Sequence, residues 1–449
     1  MSSKASSIFW HPLSCASSVP YRQFLWGFFA LICSATPPTH AAAQEASYVV
    51  MGPEGAVARA VFQNDVRCPA IEFDGVQQQM DLRAKPSHRF AVTVCEKLIP
   101  PQTKSASIFA RALPAPKDTL ASIVVLGDTG CRMKSGKSDD DEGGKFQACN
   151  DPSNKWPFSR VSSAAAKSRP DLVIHVGDYL YRESKCPKKD GGCKASPWGD
   201  DWPAWNADFF SPAINLLAAA PWIMVRGNHE ICERAGEGYF RLLDPALARG
   251  QVPPPCVKDL EPYSITTAGR QFIVLDSSGA PDGPPDKKPK QKDIDRYAEQ
   301  FRKLQPTPHA WLISHRPVWG VKSDHRSLNE TLYKALPVPA DALLTNIDLV
   351  LSGHIHLWEA IGFTDRLSPQ FVLGDGGTEL ADAITDKVAG SKIGARKVEF
   401  GRFEHFWGFT QFKPTLTPPA EGAWTATLFD ATGSSRVKCT FVQGKVDCT

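Results

Sequence analysis

From Ser122 onward the chain is punctuated by short apolar runs. They are SIVVL (Ser122 to Leu126), DLVIHV (Asp171 to Val176), PWIMV (Pro221 to Val225), QFIVL (Gln271 to Leu275), AWLIS (Ala310 to Ser314) and IDLVL (Ile347 to Leu351). Both faces of these runs are apolar and β-branched residues are plentiful, which predicts strands buried on both sides. Helical patterns lie between several of them, including WNADFFSPAINLLAAA (Trp205 to Ala220) and DIDRYAEQFRKL (Asp293 to Leu304). Strands alternating with helices predict an α/β architecture. The texture before them differs. From about Glu45 to Pro114, runs such as ARAVF and HRFAVTV alternate apolar with polar residues between turns rich in Gly, Asp and Pro. That is the pattern of a small β domain. ALPAPKDT (Ala112 to Thr119) reads as the linker, dividing a β domain at 44–117 from an α/β domain at 118–449. No internal repeat is evident.

The N-terminus follows neither pattern. Lys4 and Arg22 precede the apolar run FLWGFFALICSA (Phe24 to Ala35), and the small residues Ala41 to Ala43 follow. Charge, apolar segment and small-residue cleavage site in that order predict a secretory signal peptide at 1–43. A membrane span needs about 20 apolar residues, more than this run offers, so no stable membrane anchor is expected. The expected destination is the periplasm or the extracellular medium. With 42% hydrophobic and 22% charged residues in a chain of 449, the remainder reads as globular. Loss of Lys4 and Arg22 takes the net charge from +3 to +1. Such a balance gives no basic excess to attract nucleic acid. DKKPKQK (Asp286 to Lys292) is expected to be a solvated loop.

Ten cysteines remain after the leader: Cys68, Cys95, Cys131, Cys149, Cys186, Cys193, Cys232, Cys256, Cys439 and Cys448. An even number in an exported chain predicts disulfides, although sequence does not fix their connectivity. Pairing each cysteine with its neighbour would close five local loops. A thiolate zinc site is disfavoured because no pair has C-x-x-C spacing.

Five of the six apolar runs end in a polar cluster. These are GDTG (Gly127 to Gly130), GDYLY (Gly177 to Tyr181), GNHE (Gly227 to Glu230), SHRP (Ser314 to Pro317) and GHIH (Gly353 to His356). Ligand-binding residues gather at the carboxyl ends of strands in α/β sheets. The donors so collected are Asp128, Asp178, Tyr181, Asn228, His229, His315, His354 and His356, a mixed set suited to hard or borderline metals. One such cluster is an ordinary turn or a structural histidine; five in series, each directly after a buried strand, are a far stronger signal. In GHIH the imidazoles are two residues apart and point the same way on an extended segment, so each could address a different ion of a pair. Asp128-Thr129-Gly130 is also half of an aspartic-protease signature, but that chemistry needs two carboxylates sharing a proton. No second D-[ST]-G occurs.

The order GD-x-G, GD-x-x-Y, GNH-[DE], x-x-H and GH-x-H resembles the calcineurin-like metallophosphoesterase superfamily, and purple acid phosphatases within it. The resemblance covers roughly Ser122 to Leu380, including GDGG (Gly374 to Gly377). Most superfamily members carry D-x-H, where this chain has Gly130; purple acid phosphatases replace that histidine by a tyrosine three residues after the second aspartate, here Tyr181. The resemblance implies two packed β-sheets flanked by helices, α/β/β/α, behind the small N-terminal β domain. It implies a ferric ion held by Asp128, Tyr181 and His356. A divalent ion (iron, zinc or manganese) would be held by Asn228, His315 and His354, with Asp178 bridging the two. The implied activity is hydrolysis of small phosphate monoesters by hydroxide generated at the two ions. His229 resembles the family's substrate-contacting histidine, and His325, ten residues after His315, stands where a proton donor to the leaving oxygen would be.

Two alternatives stay open. A phosphodiesterase could use the same donors, and a catalytically silent binding protein for phosphate or glycans could retain them. Sequence says nothing of oligomeric state. Other polar and aromatic features have structural readings: His175 as a core histidine, SDDDE (Ser138 to Glu142) as a solvated turn, and FEHFWGFTQF (Phe403 to Phe412) as core.

Overall fold

The computed structural model describes residues 44–136, 144–282, 288–323, 328–337, 341–415 and 422–449. The expected signal peptide, the SDDDE segment and part of DKKPKQK lie outside them.

All six apolar runs form strands, and they divide between two sheets. Ile123–Leu126, Leu172–His175 and Trp222–Met224 are parallel neighbours in the larger sheet, which has eleven strands among the described residues. Arg270–Leu275, Ala310–Ser314 and Ile347–Ser352 are parallel neighbours in a second sheet of eight. The sheets pack face to face. Val125, Ile174 and Ile223 from one and Ile313, Leu349 and Phe371 from the other share a single apolar cluster. Alternate residues of the same strands face outward. Val124, Val173 and Trp222 pack with Val161, Ala165 and Leu216 on the helical side of the larger sheet. Ile273, Leu312 and Val350 pack with Tyr297, Phe301 and Leu332 on the helical side of the second. The layering is therefore α/β/β/α, as the resemblance implies. Because side chains alternate across a strand, a strand in an inner layer must be apolar on both faces.

The outer helices show the matching 3.6-residue period. Phe158–Lys167 buries Phe158, Val161, Ser162 and Ala165, one stripe against the sheet. FEHFWGFTQF spans the crossing from the strand Arg396–Glu404 of the second sheet to Gly408–Pro414 of the larger one. Phe412 meets Trp311 across the interlayer at 5.3 Å between ring centroids, and Trp311 meets Trp424 at 5.0 Å. Such edge-on pairs add about 0.5–1.5 kcal/mol each beyond the area they bury.

The β region before the linker splits in two. Ala70–Phe73, Val76–Gln79, Ala106–Ile108 and Arg111–Leu113 form a separate four-stranded sheet. Gln44–Gly52, Gly55–Gln63, Val92–Leu98 and Asp81–Ala84 extend the larger sheet, with Val50 paired in parallel to Trp222. Buried charge fastens these strands to the helix Gly236–Leu242. Arg83 donates to the carbonyls of Phe240 and Arg241 at 2.6 and 3.0 Å and Arg59 to that of Leu242 at 3.0 Å, while Glu96 pairs with both arginines and Asp244 with Arg83. The last carbonyls of a helix lack intrahelical partners and carry its negative pole, so guanidinium groups satisfy them in both respects.

Among the described residues five disulfides join Cys68 to Cys95, Cys131 to Cys149, Cys186 to Cys193, Cys232 to Cys256 and Cys439 to Cys448, each cysteine with its neighbour in sequence. Cross-links of this kind typically stabilise a fold by about 2–4 kcal/mol, largely by restricting the unfolded chain.

Candidate metal centre

Parallel register brings the strand ends to one edge. Leu126 pairs with His175 and His175 with Met224, so Asp128, Asp178 and Asn228 leave the larger sheet at similar height. The second sheet delivers His315 and Gly353 side by side, the Gly353 N–H donating to the His315 carbonyl at 2.9 Å. The two edges are joined by the His354 N–H, which donates to Asp128 Oδ2 at 2.9 Å. Three of these residues adopt left-handed backbone: Asp128 (φ 54°), Asp178 (φ 60°) and His354 (φ 71°). Such conformations cost energy outside glycine and persist where surrounding structure dictates them, commonly at functional sites. Gly353 is required by close approach, since a Cβ there would lie 2.4 Å from Asp128 Oδ2.

All seven candidate ligands converge. The Tyr181 hydroxyl lies 3.0 Å from Asp128 Oδ1, 2.9 Å from Asp178 Oδ2 and 2.9 Å from His356 Nε2. Asp178 Oδ2 is also 3.1 Å from His315 Nε2, which is 2.9 Å from Asn228 Oδ1. Asp178 therefore touches both halves of the cluster. His315 and His354 lie 5.2 Å apart between ring centroids, and Asp178, His315 and His354 each present a donor atom within 4.8 Å of the others.

The chemistry of this set fits a pair of cations. His356 Nδ1 is 2.8 Å from the Glu379 carbonyl and His315 Nδ1 is 2.9 Å from that of Val176. Each Nδ1 therefore carries the proton, and each Nε2 turns a lone pair inward. Two lone-pair nitrogens, two buried carboxylates and an amide oxygen lie in one cluster with a phenol whose single proton cannot serve the three acceptors it touches, Asp128, Asp178 and His356. Acceptors crowded in this way repel one another unless positive charge sits among them. The proton affinities agree. Burial, then the Asp178 carboxylate, pushes Asp128 well above the usual carboxylate range. Burial, then Asp128 and Asp178, likewise pushes up the Tyr181 phenol. A bound cation would reverse both effects.

Two carboxylates that carried no role in the sequence reading hold the ligand loops. Glu230 accepts four backbone N–H groups, Tyr179 and Leu180 at Oε1 (2.8 and 3.2 Å) and Gly227 and Asp178 at Oε2 (3.0 and 3.1 Å). It is the last residue of GNHE, so its position was legible even though its task was not. Asp208 is fully buried on the π-helical turn Asn206–Phe210 and accepts from the N–H groups of Cys131 and Tyr181 and from Arg182. Nothing in the sequence marks it.

His229 stands beside the cluster, its ring centroid 3.8 Å from that of Tyr181 and its N–H donating to Asp178 Oδ1 at 2.8 Å. Its Nδ1 faces Glu183 at 3.0 Å, and Arg234 packs against the same imidazole. His325 lies outside the described residues. His175 is a core residue. Its Nδ1 accepts the Gly177 N–H, its Nε2 meets Thr129 Oγ1 at 3.0 Å, and its ring stacks on Tyr179. Cys186, Asp190 and Cys193 also lie close together, but both sulfurs are committed to a disulfide.

The class defined by this fold and site agrees with the comparisons. The family model for calcineurin-like phosphoesterase matches residues 121–357, and the chain belongs to that family, which uses a dinuclear metal centre. Purple acid phosphatase 22 of Arabidopsis thaliana is 23% identical over 261 residues, 50% of this chain and 54% of its own length. The chain thus spans about half the length of that curated relative. Two solved structures share the fold. One is the purple acid phosphatase PPD1 from yellow lupin (Lupinus luteus), with 14% identity, TM-score 0.54, and 89% of this chain and 74% of that chain covered. The other is PhoD, with 13% identity, TM-score 0.56, and 92% and 93% covered.

Proposed function

We propose that this chain is an exported phosphatase that hydrolyses phosphate monoesters at a dinuclear centre of the purple acid phosphatase kind. Asp128, Tyr181 and His356 would hold a ferric ion, Asn228, His315 and His354 would hold a divalent ion, and Asp178 would serve both. The observation that carries the reading is the Tyr181 hydroxyl, which sits within 3.0 Å of Asp128, Asp178 and His356. Those three residues and Tyr181 itself account for the ferric half and the bridge. A phenolate suits ferric iron because its oxygen is anionic and strongly donating. The five paired disulfides suit an oxidising compartment. Among the described residues, no helix is long and apolar enough to cross a membrane.

When bound, the ions supply Lewis acidity to the phosphate oxygens and to a water. The chain does the rest. Glu230 ties the Asp178–Leu180 backbone to Gly227, so that ligands from two loops keep a fixed separation. His229, packed against Tyr181 and held by Glu183, contacts the ester and offers a hydrogen bond to its oxygens. His325 is the proposed proton donor to the leaving oxygen.

The test is optical and chemical together. The purified protein should be coloured by phenolate-to-iron charge transfer, Tyr181→Phe should bleach it, and a monoester should be hydrolysed faster than a diester. A colourless protein that contains iron would refute the Tyr181 assignment.

A further inference from the structure

We propose that Asp282 is a positioning residue for the divalent site, fixing His354 so that Nδ1, not Nε2, faces the ion. This rests on the dinuclear reading above. His315 and His356 are both pinned through Nδ1 by backbone carbonyls, which leaves Nε2 facing the centre. His354 is gripped at the other nitrogen. Its Nε2 lies 2.5 Å from Asp282 Oδ2 and 3.0 Å from Arg316 Nη1.

Only one neutral tautomer of His354 satisfies all three groups. If Nε2 were a lone pair accepting from Arg316, it would face the Asp282 oxygen lone pair to lone pair at the shorter distance. If Nε2 carries the proton, both it and Arg316 Nη1, itself 2.5 Å from Asp282 Oδ2, donate to that oxygen. The 3.0 Å between the two nitrogens is then the spacing of two donors converging on one acceptor. With Nε2 protonated, the lone pair is on Nδ1. The carboxylate is itself fixed. Its Oδ1 accepts from Asn329 Nδ2 at 3.0 Å, and Lys322 Nζ lies 3.6 Å from Oδ2.

An acceptor of this kind raises the basicity of a ligating imidazole and holds its ring in the productive plane. Asp282 lies outside every metal-ligand motif, in the loop after the strand Arg270–Leu275. It is reached only because that loop folds back over GHIH.

The experiment titrates ferric-loaded, divalent-depleted protein with zinc and follows binding calorimetrically. Removing an outer-shell partner typically costs about tenfold to a hundredfold in metal affinity. Asp282→Ala should weaken zinc binding by about that factor while leaving the ferric absorption band and the melting temperature unchanged. Asp282→Asn, whose amide oxygen can still accept from Nε2, should recover part of the affinity. Wild-type zinc affinity in Asp282→Ala would overturn the proposal. So would joint loss of zinc binding and the ferric band, because that pattern marks a general structural role. If the wild-type protein bound no zinc, the dinuclear reading itself would fall, and this inference with it.

Discussion

A Cβ on Gly130 would lie 2.7 Å from the backbone nitrogen of Tyr181, and equally close to Asp208 Oδ2 and the Tyr179 carbonyl. The absence of a side chain at 130 and the tyrosine at 181 are therefore one arrangement. The loop carrying Tyr181 occupies the space a residue at 130 would need, and Asp208 binds both the Cys131 and Tyr181 N–H groups across the gap. That Gly130 and Tyr181 belong together was an expectation from sequence; the steric relationship between them was not legible there.

Gly130→Ala should consequently be costly for a single methyl group. Two of the three nearest atoms belong to backbone that cannot rotate away, and overpacking of this sort typically costs about 1–3 kcal/mol. The expected result is a lower midpoint in chemical denaturation together with reduced iron content. Gly130→His combined with Tyr181→Phe should not restore iron binding, because the larger side chain meets the same backbone. A Gly130→Ala protein with unchanged midpoint and iron content would contradict this account.

Glu230 and Gln differ here by more than charge. Each Glu230 oxygen accepts two N–H groups. An amide has only one oxygen, so Glu230→Gln must turn its NH2 toward two donors and leave them unpaired. A buried unsatisfied donor costs about 1–3 kcal/mol. Glu230→Gln should therefore destabilise the protein nearly as much as Glu230→Ala, and metal content should fall in both. A near-neutral Glu230→Gln in urea unfolding would show that these backbone bonds are not what holds the ligand loops.

The strands and the donor clusters that follow them were legible because both depend on local pattern. An inner-layer strand must be apolar on both faces, and the donors follow it within a few residues, as in Asp128 after Ile123–Leu126 and His315 after Ala310–Ser314. What pattern could not show was partnership at long range. Three runs went to each of two sheets, and nothing in their composition separates Leu172–His175 from Ile347–Ser352. Asp208, Asp282 and the pair Arg59–Arg83 were hidden for the same reason. A buried charge is explained by whatever the fold brings to it, here the N–H groups of another loop, an imidazole 72 residues away and the end of a helix.

Glu359 supplies a pH-dependent contribution to stability. It is wholly buried in the strand Trp358–Phe363, with Oε2 accepting the Val321 N–H at 3.0 Å and Oε1 without a hydrogen-bond partner among the described residues. Burial pushes its carboxyl from the ordinary 4.5 up to about 8, and the pull of the Val321 N–H and Lys322 does not offset it. Between those values the folded protein holds a proton that the unfolded chain has released. Stability must then fall as pH rises across that window, with the full contribution present only below about 4.5. Glu359→Gln keeps an acceptor for Val321 and cannot ionise. Urea unfolding from pH 5 to 8.5 should show wild type and Glu359→Gln diverging as pH rises, the variant gaining a few kcal/mol in relative stability by the top of the range. Parallel curves would mean that Glu359 ionises in the folded protein much as it does in the unfolded chain.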